Sequence, residues 1–214
     1  MASHRKMWLV FMLLALGAAG LDLITKQWLF SVLGMPGKHP GIVVVPGILS
    51  LETNLNEGAL FGIGQGFGMV FAAISVVAIG GIVTMVSRPA TRGDPRLLGA
   101  LGLITGGIIG NLYDRLGLAG LSWEEPASRA GTPVIAVRDW IHFRLDGVID
   151  WPVFNLADAW LVIGATALIA ISLRPARGPR LDPTTDENRA EDPEDGRPVQ
   201  EATRASAATA GGTQ

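Results

Sequence analysis

Four apolar runs long enough to cross a bilayer dictate most of what this chain can become. The first, Met7 to Leu29, is interrupted only by Asp22, Thr25, Lys26 and Gln27, and as a helix it would reach about 34 Å at roughly 1.5 Å per residue. Met69 to Val86 is a second uninterrupted run, Leu97 to Leu112 a third, and a fourth extends from about 154 to 173. Charged residues make up 17% of the sequence, well under the roughly 25% of ordinary soluble domains. The expected fold class is therefore an all-α membrane protein. It has four transmembrane helices, at approximately 7–29, 69–86, 97–115 and 154–173, inside a membrane domain covering residues 1–175.

The segments between the runs have a different character. Residues 34–68 are rich in Gly and Pro, with β-branched stretches at Ile42 to Val45 and around Ile48 to Thr53, so a small β-rich platform outside the hydrocarbon is expected there. Residues 116–153 are expected as a loop, irregular as far as Ala136. From Gly178 to Gln214 the composition turns to Asp, Glu, Pro, Thr and Ala, which reads as a disordered tail. The tail portion 181–214 carries eight acids and three arginines. Basic residues gather before the first run (Arg5, Lys6), between the second and third (Arg88, Arg92, Arg96) and after the fourth (Arg174, Arg177, Arg180). Under the positive-inside rule both termini and the tail are cytoplasmic, and 34–68 and 116–153 lie on the outer side. The Ala18-Ala19-Gly20 stretch after a basic start and an apolar core has the layout of a signal peptide. Because the helical pattern continues through Asp22 and Lys26, an uncleaved first span is expected instead.

This orientation brings the polar residues of the spans to one depth near the outer face. Asp22, Thr25 and Lys26 stand at i, i+3, i+4, as do Asn111, Asp114 and Arg115, while Asn155 and Asp158 stand at i, i+3, so each set shares a helix face. A bland reading treats Asn155 and Asp158 as helix caps, and Asp22 with Lys26 and Asp114 with Arg115 as charge pairs that lower the cost of burial. Asp139 and Asp158 lack a local counter-ion other than Arg138. Brought together, two such carboxylates cannot both ionise easily and would share a proton, a pair able to activate water and protonate a peptide carbonyl. His4, His39 and His142 are too scattered for a metal site, and no H-E-x-x-H, G-x-S-x-G or phosphate-cradling motif occurs. Cysteine is absent, so thiol chemistry by this chain is excluded. A small proton-coupled transporter and a non-catalytic membrane scaffold are the alternatives. The first would need polar groups through the middle of the spans, where the sequence is apolar.

Five motifs in order carry a resemblance: D-L-I-T-K at 22–26, N-E-G-A-L-F-G at 56–62, G-N-L-Y-D-R at 110–115, V-R-D at 137–139 and F-N-L-A-D-A at 154–159. The set resembles that of the bacterial lipoprotein signal peptidases, signal peptidase II. The resemblance implies an intramembrane aspartic endopeptidase of the inner membrane that removes signal peptides from prolipoproteins, cutting before a diacylglyceryl-modified cysteine. It implies Asp139 and Asp158 as the catalytic pair; Asn56, Asn111, Arg115 and Asn155 as substrate-binding residues; and Asp22, Lys26 and Asp114 as structural support. No metal or other cofactor and no nucleic-acid partner is implied; membrane lipid is, and a monomer is expected. Relative to the family, more than twenty residues separate Arg115 from Asp139, so the outer loop carries an insertion. That loop and the 34–68 platform are expected to close over bound substrate. Asp146 and Asp150 are rival carboxylates outside any matching motif.

Overall fold

The computed structural model describes residues 2–58, 64–145 and 147–173. Asp146, part of the N-E-G-A-L-F-G motif and the 178–214 tail lie outside the described residues. Five helices and four strands follow in the order α1 Ala2–Leu33, β1 Ile42–Val45, β2 Leu49–Asn56, α2 Gly68–Ser87, α3 Pro89–Arg92, α4 Pro95–Arg115, β3 Val137–Leu145, β4 Ile149–Asp150 and α5 Leu156–Ser172.

Among the described residues, α1, α2 and α4 are long and apolar enough to cross a membrane, while α5 is an apolar helix of 17 residues. Their surfaces expose Leu13, Leu16, Val77, Val162 and Ile169, an apolar exterior that suits lipid and would be a liability in water. The central helix is α4: 56% of its apolar window is buried, against 28% for α1 and 17% for α2. Glycine explains how its neighbours come so near. A Cβ on Gly106 would lie 2.6 Å from Ala18 Cβ of α1, and one on Gly107 would lie 2.5 Å from the Ala157 carbonyl of α5. Lipid tails are as apolar as leucine, so helices in a membrane associate through this kind of close packing.

At the end of the bundle where α1 and α4 finish and α5 begins, the strands form one antiparallel sheet ordered β1-β2-β3-β4. Leu29 and Leu33 of α1 pack with Trp140 of β3, joining bundle to sheet. Phe11, Ile82, Val86, Leu98 and Leu101 form the corresponding cluster toward the other end. Strands β1 and β2 fall within 34–68, where a small β-rich platform is expected beside the helices. One expectation needs correction: Val137–Leu145, expected as loop, is a strand. Its first four residues are buried on both faces, so the polar-apolar alternation that marks a half-exposed strand is blurred.

Candidate active site

Asp139 and Asp158 reach one place by separate routes. Pairing of β2 with β3 sets Asp139 across from Asn54, and Val137 across from Asn56. After β4 the chain turns back along β3, where Phe154 and Ile141 exchange backbone hydrogen bonds of 3.0 and 2.8 Å. The next residue, Asn155, is the N-cap of α5. Its Oδ1 accepts the Asp158 N–H at 3.0 Å, and its Nδ2 donates to Asp139 Oδ1 at 2.5 Å. Because the helix end requires an acceptor, the amide oxygen must face Asp158, and the nitrogen is left for Asp139.

The capping reading of Asp158 is correct as far as it goes. Its Oδ2 accepts the Asn155 N–H at 3.4 Å, closing a capping box. Oδ1, however, accepts from Asn111 Nδ2 on α4 at 2.8 Å. Asp139 is 1% exposed, and its Oδ2 meets no hydrogen-bonding geometry among the described residues. Burial, and next the charge of Asp158, push the Asp139 carboxyl up to about 7, against the opposing pull of hydrogen bonds from Asn155 and Asn56.

Beneath this pair lies a charged cluster. Lys26 Nζ is 2.7 Å from Asp22 Oδ2 and 3.1 Å from Asp114 Oδ2, and it donates to Asn111 Oδ1 at 2.9 Å. Asp22 Oδ1 accepts the Ala157 N–H at 2.9 Å, so the first turn of α5 is tied to α1. Asp114 takes Arg138 Nε at 2.8 Å and the Arg138 N–H at 3.1 Å. The Asp22–Lys26 pair is thus as the spacing predicts. An Asp114–Arg115 pair is not formed, because adjacent helical side chains diverge. Asp114 turns to Lys26 and Arg138, and Arg115 donates to the Gly58 carbonyl at 2.9 Å while stacking over Phe71 at 5.4 Å. Arg138 points away from Asp139, since neighbours on a strand face opposite ways.

A cavity of about 440 Å³ opens beside Asp158, with Asn56, Asn111 and Arg115 on its polar wall and Ile108, Leu161 and Val162 on its apolar wall. Asp150 stays outside it, bound to His142 Nε2 at 2.7 Å, while His142 Nδ1 faces Glu52 at 3.0 Å. Between these two acids the imidazole is raised above its ordinary value although its burial acts in the other direction. Sequence reasoning missed the partners of two segments. Gln27 accepts from Arg138 at 3.2 Å, and Glu57 is gripped by Arg129 of the 116–136 loop through both oxygens, at 2.7 and 3.0 Å. The 72 positions between Glu57 and Arg129 leave no local signal of that pairing.

Residues 14–174 match the family model described as signal peptidase (SPase) II. A lipoprotein signal peptidase of Rhodopirellula baltica is 42% identical over 166 residues, covering 76% of this chain and 71% of that protein. One from Oleidesulfovibrio alaskensis is 33% identical over 75% of this chain and 91% of its own length. In fold, the chain is similar to a bacterial membrane enzyme solved by the in meso method at 2.3 Å resolution. The TM-score is 0.61 at 21% identity, covering 87% of this chain and 94% of that one.

Proposed function

The chain belongs to the signal peptidase II family, and from that premise we propose that Asp139 and Asp158 are the two carboxylates with which it removes signal peptides from prolipoproteins. It is an aspartic-type endopeptidase; which aspartates act, and how, is our reading. The observation that carries it is the single Asn155 side chain bonded to Asp139 and to the Asp158 backbone, with Asp139 Oδ2 buried and meeting no hydrogen-bonding geometry among the described residues.

Asp139, raised to about 7, is the member that carries the proton, on Oδ2. Asp158 takes a proton from water as the water oxygen bonds to the scissile carbonyl carbon, and Asp139 gives its proton to the carbonyl oxygen. The tetrahedral diol then collapses. Asp158 returns its proton to the leaving nitrogen, and Asp139 recovers one from a diol hydroxyl, so both carboxyls end as they began. Asn111 and Asn155 hold the pair in register, and Asn56 and Arg115 border the cavity where the substrate backbone would lie. Lys26, Asp22 and Asp114 support this from beneath.

The substrate class follows from the family: a prolipoprotein cut before a cysteine bearing diacylglycerol. Ser75 of α2 and Leu161 and Val162 of α5 line the same cavity, and α2 packs against α4, so acyl chains can enter from lipid between α2 and α5. Four crossings, the sheet and site at the outer face, cytoplasmic termini and a monomeric enzyme complete the proposal. The 17 residues of α5 span about 26 Å, enough to cross with its flanks. The test is cleavage of a purified diacylglyceryl prolipoprotein by folded D139N and D158N variants. Turnover at the wild-type rate by either would remove that residue from the pair.

A further inference from the structure

The 116–136 loop, expected from the sequence to close over bound substrate, carries a framework of bonds of its own. Its two limbs are cross-bonded: Trp123 N–H to the Thr132 carbonyl at 2.9 Å, Gly131 N–H to the Trp123 carbonyl at 2.8 Å and Val134 N–H to the Leu121 carbonyl at 2.9 Å. The returning limb is anchored in the fold, with Val134 and Ala136 buried and the Ile135 carbonyl against Gly68, where a Cβ would meet it at 2.9 Å. At the tip, the Arg129 carbonyl is held twice by Thr132, through its N–H at 2.9 Å and its hydroxyl at 2.7 Å. The guanidinium lies over the Trp123 ring at 4.0 Å and grips both oxygens of Glu57.

Glu57 is the middle residue of Asn56-Glu57-Gly58. On one side Asn56 bonds toward Asp139, and its Oδ1 accepts the Gly58 N–H at 3.0 Å. On the other side the Gly58 carbonyl holds Arg115 at 2.9 Å. Fixing Glu57 therefore fixes two residues that border the cavity. A second contact from the same loop, Lys38 to Glu124 at 2.7 Å, joins two half-exposed side chains and has the weak grip usual for such pairs. Arg129 differs because a planar fork on both carboxylate oxygens fixes direction as well as distance.

We propose that Arg129 is a positioning residue of the active site, and that the inserted loop is a brace holding Asn56 and Gly58 in place through Glu57. The effect on catalysis rests on the function proposed above, whereas the mechanical effect does not. The experiment uses the full-length chain in detergent, with Arg129→Met compared with the unmodified enzyme by amide hydrogen exchange and by kcat/KM across pH on a diacylglyceryl prolipoprotein. Exchange at the Gly58 amide is expected to quicken by about tenfold while amides of α4 and α5 keep their rates, the sign of local release. In parallel, kcat/KM should fall by about tenfold, as loosened positioning does. Asp139 is faced by Asp158 of α5 and its N-cap Asn155, Lys26 of α1, Asn56 of β2 and Arg115 of α4. Asn56 and, through the Gly58 carbonyl, Arg115 are released; both favour the charged carboxyl, so the alkaline limb of the profile should move to higher pH. The Lys variant, keeping the charge without the fork, should restore part of both effects. Unchanged Gly58 exchange, or exchange that rises equally in α4 and α5, overturns the brace. Quickened Gly58 exchange beside an unmodified enzyme that leaves the prolipoprotein uncut would support the brace and count against the function.

Discussion

Two groups of acids sit side by side in this fold, three of the four fully buried and Asp158 partly so, and they follow opposite rules. In the lower one, Asp22 and Asp114 face Lys26 and Arg138, two acids against two bases, all four nearly inaccessible. In the upper one, Asp139 and Asp158 receive side-chain hydrogen bonds from the neutral amides of Asn155 and Asn111. A closed, charge-balanced cluster resists change, because removing any member leaves a buried charge uncompensated. An amide-held pair tolerates a change of protonation, since among the described residues neither carboxylate is locked in an ion pair, Lys26 and Arg115 acting on the two only from beyond the amides. Lys26 links the two. By donating to Asn111 Oδ1 it fixes which end of that amide faces Asp158.

The sharpest way to break the comparison is to neutralise a member of the upper pair. Asp139→Asn or Asp158→Asn should lower kcat by about 1000-fold or more, in the range of losing a general acid or base. The melting temperature should not fall below wild type, because Asn keeps an acceptor for the existing amide donor. Loss of folding with loss of activity would mean that the upper pair is structural too.

The lower cluster should answer the other way. Lys26→Met leaves two buried acids with only Arg138, and destabilisation of about 3–5 kcal/mol is expected, the usual cost of breaking a buried pair from one side. Adding Asp22→Asn restores balance, and its oxygen can still accept the Ala157 N–H, so the double variant should be markedly more stable than Lys26→Met alone. Denaturation of all three in detergent measures the coupling. Equal losses in the single and double variants would show that charge balance is not what holds this cluster.

How far the sequence reveals these two groups depends on distance along the chain. The helices are legible because hydropathy is local, and the Asp22–Lys26 pair because i, i+4 places side chains together. The cap at Asn155 and Asp158 is legible for the same reason. Arg138 was misleading: its neighbour in sequence is Asp139, yet strand geometry turns it toward Asp114. The mistaken Asp114–Arg115 pair has the same origin, since adjacency in sequence is not adjacency in space. The Glu57–Arg129 grip joins the residue after β2 to the 116–136 loop, and nothing within either segment announces it. Strand β3 was hidden because burial on both faces of its first half removes the alternation by which strands are read.

Acidity separates the groups more finely. Asp139 titrates near 7 in the fold against an ordinary 3.8, so protonation favours the folded state. Its ionisation therefore costs stability progressively as pH rises from about 4 to about 7, and in full above that. The full cost is on the order of 4 kcal/mol. Asp139→Asn escapes it and should melt above wild type at pH 8, with the difference vanishing near pH 4. Over the same interval kcat/KM of the wild type should fall as pH climbs through about 7, because the proposed mechanism works with this acid protonated. A profile flat from pH 6 to 9 would reassign the proton.

The smallest effect concerns the space under both groups. A Cβ at Gly110 would collide with the Asp22 carboxylate and come within 3.3 Å of Ala157 Cβ. Asp22 is held there by Lys26 and by the Ala157 N–H, so it cannot withdraw without giving up a partner. Gly110→Ala should cost about 1–3 kcal/mol, as overpacking does, with kcat reduced because α5 and its Asp158 move with Ala157. Gly17→Ala, on the same bundle but with nothing within 4 Å of the added methyl, should leave both stability and turnover as they are. If the two substitutions behave alike, the close approach of α4 to Asp22 is not what sets the depth of Asp158.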